Sequence, residues 1–323
     1  MHTFSSTLTL LTALAVVSAA LASAEESKGS ESPKLLEVRQ HTHGKWKVSQ
    51  IVESEGPFVD PAQLYVGISL DEVRKVCPPG KSGRITDDGK LIFATQIFLV
   101  QKAGLNVLID MGSGNDKERP EQPWWDHQKL PLVETLAQLG VKPEDVDYVL
   151  LTHLHDDHVG FATTLSDGRW VPTFPKARYV VSKADWDYFT RLPQPSRHPS
   201  IDDSVLPLAS AGVVDFVRAG DERAGFRVHG SPAHTPGLVL YEIKGANVWF
   251  VGDLLHHPAQ FARPEWKSAD FDVVPGSVGA ERRKFLTKFA GSHAVIYAAH
   301  IGQPYQVLAD GKAGLTGRIW PSP

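Results

Sequence analysis

Apolar residues along this chain follow two patterns, short continuous runs and runs at helical spacing. The continuous runs are rich in β-branched and aromatic residues, which predicts buried strands. These runs cover residues 91–101, 105–110, 146–151, 177–181, 226–229, 238–243, 248–251 and 294–298. The short Gly-containing segment Lys102-Ala103-Gly104 separates the first two runs and predicts a hairpin.

Helical spacing is clearest where Leu132, Leu136 and Leu139 recur, which predicts a helix over residues 132–139 with Gly140 as its C-terminal cap. Two further segments are predicted to be helical, residues 183–189 and 280–289. Strands punctuated by helices indicate a layered α/β or α+β sandwich.

The first 24 residues predict a secretory signal peptide. An apolar run over residues 8–21 precedes the small-x-small site Ala22-Ser23-Ala24, so we expect cleavage after Ala24 and a secreted or periplasmic protein. The alternative is a hydrophobic N-terminus that frays. Residues 25–34 are polar and predict a flexible leader, and residues 35–323 predict one domain without a membrane span, since no compositional break or later apolar run interrupts them.

Composition excludes several classes of function. The formal net charge of −4 argues against a nucleic-acid partner, which would require a strongly basic surface. A single cysteine, Cys77, excludes an intramolecular disulfide framework and a Cys-rich zinc or iron–sulfur site. The 14 histidines are the unusual feature of the composition.

Three of these histidines fall in the segment Thr152-His153-Leu154-His155-Asp156-Asp157-His158, directly after a predicted strand. His153 and His155 are close enough to converge on one metal ion, and Asp157 and His158 are displaced along the turn towards a second. Imidazoles and a carboxylate packed together behind a buried strand would be strongly unfavourable without a cation. The motif therefore predicts a metal site.

Three later residues repeat this context, because each follows a predicted strand. His234 lies in the Pro/Gly-braced segment 231–237, and Asp253 and His300 each follow an apolar run. Functional residues are often found in loops at strand ends. Upstream, Asp110 ends another predicted strand, and we expect it to accept a hydrogen bond from a ligand.

This order of motifs resembles that of the metallo-β-lactamase-fold hydrolases over roughly residues 46–300, including a family-like Asp-x-Gly turn at Asp110-Met111-Gly112. The resemblance implies a four-layer αββα sandwich that holds two Zn²⁺ ions per chain. It assigns His153, His155 and His234 to one zinc. It assigns Asp157, His158 and His300 to the other zinc, with Asp253 bridging the two.

An aspartate at the bridging position is similar to the pattern of quorum-quenching lactonases and of enzymes of the methyl parathion hydrolase type. One departure is Phe161, where many relatives have a second glycine, so we expect a narrower neighbouring pocket. The resemblance implies an exported dinuclear zinc hydrolase whose metal-bridging hydroxide opens a lactone or a similar small ester. Asp157 would also be catalytic, by orienting the water or carrying a proton to the leaving group.

Several alternatives stay open at this stage. The same fold also hosts organophosphate triester hydrolases, thioesterases and β-lactam hydrolases, and a non-catalytic zinc-binding protein would retain the same ligands. The metal could be zinc, manganese or iron, and the pattern does not define an oligomeric state. Either one of His256 and His257 lines the pocket or supports a ligand, or both are partly exposed loop residues. Five aromatic residues form either a substrate wall or part of the core: Trp124, Trp125, Trp186, Tyr188 and Phe189.

Overall fold

The computed structural model describes residues 34–77, 84–194, 196–268, 271–274 and 276–307. The predicted signal peptide and most of the predicted leader lie outside these residues. Within them the strands are β1 Glu37–His43, β2 Trp46–Pro57, β3 Ile92–Lys102, β4 Leu105–Ile109, β5 Tyr148–Leu150, β6 Thr163–Ser166, β7 Arg169–Pro172, β8 Arg178–Ser182, β9 Val214–Val217, β10 Glu222–Arg223, β11 Phe226–Gly230, β12 Val239–Ile243, β13 Val248–Phe250 and β14 Val295–Tyr297. The α-helices are α1 Pro61–Leu64, α2 Leu70–Val76, α3 Leu132–Gln138, α4 Asp156–Val159, α5 Lys183–Phe189, α6 Leu206–Ser210, α7 Ala259–Ala262 and α8 Val278–Phe289.

The described strands form two large sheets and one hairpin. The first sheet has the order β1-β2-β3-β4-β5-β8-β9, antiparallel from β1 to β4 and parallel from β4 to β9. The second has the order β10-β11-β12-β13-β14, in which only the β13–β14 pair is parallel. β6 and β7 form the separate hairpin.

The two sheets pack face to face, because their central strands are apolar on both sides. In β3, Phe98 and Val100 contribute to the core between the sheets, whereas Ile97 and Leu99 face a second core on the outer side. Such alternation follows from the two-residue repeat of a strand. It explains why the sequence of this strand is an uninterrupted apolar run.

Helices cover the outer faces of both sheets. Leu132 and Leu136 of α3 pack into the outer core of the first sheet. Phe285 and Phe289 of α8 pack in the same way against the second sheet. The result is a helix–sheet–sheet–helix sandwich, which confirms the predicted fold class. Among the described residues, no helix combines the length and the apolar composition that a membrane crossing needs.

The predicted hairpin, the helix at 132–139 and the later strands are present, with ends that differ by up to a few residues. Gly140 has φ +77°, as expected of a glycine that ends a helix. The long strand β2 was not predicted, since polar residues interrupt its apolar pattern. One of them, Gln50, is buried and donates from Nε2 to Oε1 of Gln96 at 2.8 Å. A strand can carry such residues when the fold supplies their partners.

Candidate metal centre

Five strand ends bring the predicted site residues to one edge of the packed sheets. β4 and β5 are parallel neighbours in the first sheet, and β13 and β14 are parallel neighbours in the second. β11 runs in the same direction as β13, because both pair antiparallel with β12. The loops that follow these strands meet at the carboxyl edge, where α/β sheets commonly bind ligands.

His153, His155 and His234 form the first donor group, here called the three-histidine group. Nε2 of His153 lies 3.1 Å from Nδ1 of His155, and Nε2 of His234 lies 2.8 Å from the same Nδ1. All three side chains are buried. Their ligand atoms lie within 4.8 Å of one another, a spacing suited to one metal ion.

Asp157, His158 and His300 form the second donor group, here called the aspartate group. Nε2 of His300 lies 3.4 Å from Oδ2 of Asp157, and Nε2 of His158 lies 3.6 Å from Oδ1. These ligand atoms are also buried and lie within 4.8 Å of one another. The helix α4 begins at Asp156, so its first turn carries both Asp157 and His158.

Asp253 lies between the two groups. Its Oδ2 is 3.5 Å from Nε2 of His234 and 3.0 Å from Nε2 of His300. Its Oδ1 is 3.3 Å from Nε2 of His158. All seven residues singled out in the sequence therefore converge, and the carboxylate expected to bridge is in contact with both groups.

Hydrogen bonds hold the histidine rings from the side opposite the centre. Nδ1 of His158 is 3.0 Å from Oδ2 of Asp110, as expected for Asp110. Nδ1 of His234 is 3.0 Å from Oδ1 of Asp272, and Nδ1 of His300 is 2.8 Å from the carbonyl of Ala94. When Nδ1 donates in this way, Nε2 presents its lone pair to the centre, the arrangement typical of metal-binding histidines.

The turn at Asp110 packs tightly against the motif that follows β5. The backbone N–H of Met111 donates to the carbonyl of His158 at 2.8 Å, and that of Phe161 donates to Met111 at 2.7 Å. A Cβ on Gly160 would lie 1.9 Å from the carbonyl oxygen of Ser113, so only glycine fits this close approach. Phe161 packs in the outer core of the first sheet and does not line the cavity described below, so the expected narrowing of the pocket was wrong.

Electrostatics distinguish the two groups. Burial lowers the pKa of His153 and His155 well below the ordinary value and lowers the pKa of His234 to about 4. These three imidazoles are therefore neutral at pH 7. Neutral imidazole is the form that binds a metal.

Attraction between opposite charges determines the pKa values of Asp253 and His158. Burial alone would raise the pKa of Asp253, but His300 and His158 outweigh it and hold the pKa well below the ordinary value. Burial in turn opposes protonation of His158, while Asp253 and Asp157 raise its pKa well above the ordinary value. The negative charge of these carboxylates thus attracts a compensating positive charge into the centre.

The chemistry of the donor set suits divalent metal ions. Among the described residues, Nε2 of His158 and Oδ1 of Asp253 are buried and have no hydrogen-bond partner. Buried polar atoms are rarely left unpaired, and an unpaired set at a functional site requires a reason such as an ion. Imidazole nitrogen and carboxylate oxygen are common ligands of zinc.

Comparison with known proteins agrees with this geometry. The family model for the metallo-beta-lactamase superfamily matches residues 92–300, a span that contains all seven residues. The chain belongs to the metallo-β-lactamase superfamily. Membership confirms the predicted family and supports the predicted class, a metal-dependent hydrolase.

Relatives within this superfamily include lactonases. Over 92 residues the chain is 33% identical to "N-acyl homoserine lactonase AiiB" of Agrobacterium fabrum (strain C58 / ATCC 33970), a match that covers 25% of this chain and 32% of that protein. The chain thus spans about a third of the length of this curated relative.

Two solved structures are similar over most of their length. One is the crystal structure of the "hydrolase AbOPH in beta lactamase superfamily", with a TM-score of 0.69, 25% identity and coverage of 86% of this chain and 96% of that chain. The other is "AidC, a Dizinc Quorum-Quenching Lactonase", solved with the product N-hexnoyl-L-homoserine, with a TM-score of 0.65, 20% identity and coverage of 82% and 91%. At 20% identity, the similarity to AidC shows only that the two proteins share a fold.

A cavity of about 250 Å³ opens over the donor groups of this superfamily member. Its aromatic wall is formed by Phe58, Phe93, Trp124 and Trp125, and Asp157, Asp253 and His300 lie at its base. Trp124 and Trp125 thus line the site, as one of the two interpretations expected. Trp186, Tyr188 and Phe189 pack with the outer core of the first sheet instead.

Two supporting residues were missed in the sequence. Asp272 orients His234 and contacts Arg282, whose Nη2 is 3.5 Å from Oδ2. Gln96 donates from Nε2 to the carbonyls of Ala298, Ala299 and Ile301 at 3.1, 3.0 and 3.1 Å and so holds the loop of His300. A glutamine inside the apolar run 91–101 was the available signal for Gln96, whereas nothing in the local pattern marks Asp272.

Proposed function

We propose that this protein is an exported dinuclear zinc hydrolase that opens a lactone or a similar small ester. One observation carries the proposal: two buried donor groups share Asp253 at the base of an aromatic-walled cavity. The lactonases among its relatives support the choice of substrate. Export is proposed from the signal-peptide pattern of residues 1–24. If it is correct, the mature protein begins at Glu25, which N-terminal sequencing would test.

His153, His155 and His234 would hold one zinc, and Asp157, His158 and His300 the other, with Asp253 shared. Bound zinc would polarise an ester carbonyl and lower the pKa of water from 15.7 to about 7. This chemistry requires no nucleophilic side chain.

The residues of the chain then position the substrate and handle protons. Phe93 stacks on His300 with ring centroids 5.3 Å apart, so an apolar substituent packed on this wall lies next to the aspartate group. Asp157 lines the same cavity as this wall, so its carboxylate can reach a water molecule or a leaving oxygen there. We propose that Asp157 orients water or carries a proton to the leaving oxygen.

A second candidate is hydrolysis of an aryl phosphotriester. The aromatic wall favours it, because the ring of Phe58 lies 5.0 Å, centroid to centroid, from those of Phe93 and Trp124, and these rings offer flat surfaces for an aryl leaving group. A phosphoryl oxygen can be polarised by the same metal ions. Both classes of uncharged substrate therefore remain candidates for this cavity.

The test combines a metal count with a substrate panel. Purified protein is expected to hold two zinc ions per chain and to hydrolyse a lactone faster than a thioester, an aryl ester, a β-lactam or a phosphotriester. His155→Ala is the control and is expected to lose both metal and activity. Fastest turnover of the phosphotriester would favour the second candidate. Bound zinc with no hydrolysis of any substrate would instead indicate a non-catalytic zinc-binding protein.

The role of Asp157 has its own test. Asp157→Asn is expected to lower turnover more than it lowers metal content. If this variant retained both metals and full turnover, the proton-carrying role would be wrong.

A further inference from the structure

We propose that His256 is an additional metal ligand of this centre and binds through Nε2 on the side shared by His234 and Asp253. The inference rests on the proposed function, since it presumes that the centre holds metal. It adds an eighth side chain to the seven singled out in the sequence.

His256 is carried to the centre by the same turn as Asp253. The short 3₁₀ turn Gly252–Leu254 follows β13, and His256 comes two residues after its end. The residue is 2% exposed and lines the cavity. Its ring lies parallel to that of His300, with 5.7 Å between ring centroids and 8° between planes.

The free nitrogen of His256 points at the donor groups. Nε2 lies 3.3 Å from Oδ2 of Asp253. The ligand atoms of His234, Asp253 and His256 all lie within 4.8 Å of one another. Among the described residues, Nε2 of His256 has no hydrogen-bond partner. A buried imidazole nitrogen without a hydrogen-bond partner, next to a carboxylate, has the chemistry of a metal ligand.

The opposite nitrogen is held as it is in the ligand histidines. Nδ1 of His256 is 3.0 Å from Oγ of Ser268. The N–H of Ser268 in turn donates to Oδ2 of Asp272 at 2.6 Å, and Oδ1 of Asp272 holds His234. Ser268 and Asp272 therefore orient the two rings, and both Nε2 atoms lie towards Asp253.

The adjacent residue, His257, differs from His256 because both of its ring nitrogens contact the backbone. Nε2 of His257 is 3.0 Å from the carbonyl of Arg84, and its Nδ1 accepts from the N–H of Ala259 at 3.2 Å. Backbone groups therefore occupy both nitrogens of His257. Nε2 of His256, unlike the nitrogens of His257, is therefore available to bind an ion or a substrate atom.

The experiment compares His256→Gln with wild type and with His198→Gln, a cavity histidine outside the donor groups. Zinc per chain is counted after dialysis, zinc affinity is measured by competition with a chromophoric chelator, and the Co²⁺-loaded proteins are compared by visible absorption. We expect His256→Gln to bind one ion at least about tenfold more weakly and to change the Co²⁺ bands. His198→Gln is expected to match wild type in all three measurements.

Wild-type zinc affinity and an unchanged Co²⁺ spectrum in His256→Gln would overturn the proposal and leave His256 as a substrate contact. Ser268→Ala is the second variant: it frees Nδ1 and is expected to weaken the same ion to a smaller degree. If His256→Gln does not fold, unchanged affinity in Ser268→Ala overturns the proposal. A wild-type protein that binds no metal would instead refute the proposed function, so the two failures are distinguishable.

Discussion

Two clusters of largely buried charged residues lie close together in this fold, and they are stabilised in different ways. In the Lys117 cluster (Lys117, Arg119 and Asp203), Arg119 donates to both oxygens of Asp203 at 2.7 and 3.1 Å. Nζ of Lys117 donates to Oγ1 of Thr163 at 2.7 Å and lies over the ring of Trp170, 3.4 Å from its centroid. Here the chain itself supplies the cations that balance the carboxylate.

The metal centre has the opposite arrangement. Imidazole nitrogens and carboxylate oxygens face one another, and atoms such as Oδ1 of Asp253 have no hydrogen-bond partner among the described residues. Buried charge is therefore not in itself a sign of a metal site. The convergence of imidazole nitrogens and carboxylate oxygens on one point is a better sign, because such atoms can share one cation.

The largest effect is expected from the carboxylate shared by both donor groups. Asp253→Asn keeps the shape of the side chain but removes the charge, so we expect hydrolysis to fall by more than about 100-fold and zinc content to fall with it. Steady-state kinetics and metal analysis of the same preparation measure both. Asp203→Asn in the Lys117 cluster is the matched control and is expected to retain zinc. Full zinc occupancy in Asp253→Asn would contradict the shared-ligand assignment.

Removal of metal is expected to destabilise the protein. With free zinc at 1,000 times the dissociation constant, binding to the folded state alone contributes about 4 kcal/mol to the free energy of unfolding. Chelator treatment should therefore lower the thermal midpoint of wild type, and added zinc should restore it. His155→Ala should show a smaller response to the chelator. Equal midpoints for wild type with and without chelator would show that the centre does not require a cation.

The Lys117 cluster predicts a dependence on pH. Burial lowers the pKa of Lys117 to about 8 in the folded protein, so the unfolded chain binds more protons between pH 8 and its ordinary pKa of 10.5. Wild-type stability relative to Lys117→Met should therefore rise across this range and stay constant below pH 8. At 1.36 kcal/mol per pKa unit the rise approaches about 3 kcal/mol.

Denaturant unfolding of both proteins at pH 7 to 10 measures this difference. Lys129→Met removes an exposed lysine and is the control for a change in charge alone. Asp203 retains its two bonds to Arg119 in Lys117→Met, so the variant leaves no uncompensated carboxylate. A stability difference that does not change with pH would show that Lys117 is not protonated differently in the folded chain.

A smaller effect is expected from the acceptors behind the ligands. Asp110→Asn disturbs the bond to Nδ1 of His158 and is expected to weaken metal affinity by about 10- to 100-fold. Competition with a chelator measures it. Asp215→Asn, which alters a partner of Arg178 at the sheet edge, should leave affinity unchanged. Equal affinities for Asp110→Asn and wild type would show that the orientation of His158 does not depend on this carboxylate.

Prediction from the sequence succeeded where a single segment contains the signal. The motif at residues 152–158 follows a short apolar strand, and both the strand and the three histidines are where their spacing indicates. The supporting residues were harder to find. Asp272 lies 38 residues from His234, and nothing in the pattern of either segment links them.

The two histidines after Asp253 show the same limit. His256 and His257 are adjacent and equally plausible in the sequence, yet one faces the donor groups and the other bonds to backbone. A difference of one position along an irregular loop rotates a side chain to another direction, and only the surrounding contacts determine which direction it takes.

The amino-acid sequence by itself determined the family, the order of the main elements and the seven residues that converge, because strand patterns and ligand spacing are local properties of the chain. The tertiary structure alone decided which atoms face the centre and which of the aromatic residues line its cavity. It also showed that one charged cluster is balanced by a lysine and an arginine of the chain, while the other brings together side chains that could hold a metal ion. These outcomes depend on contacts between segments that are far apart in the chain, and the local sequence pattern of a segment does not predict such contacts.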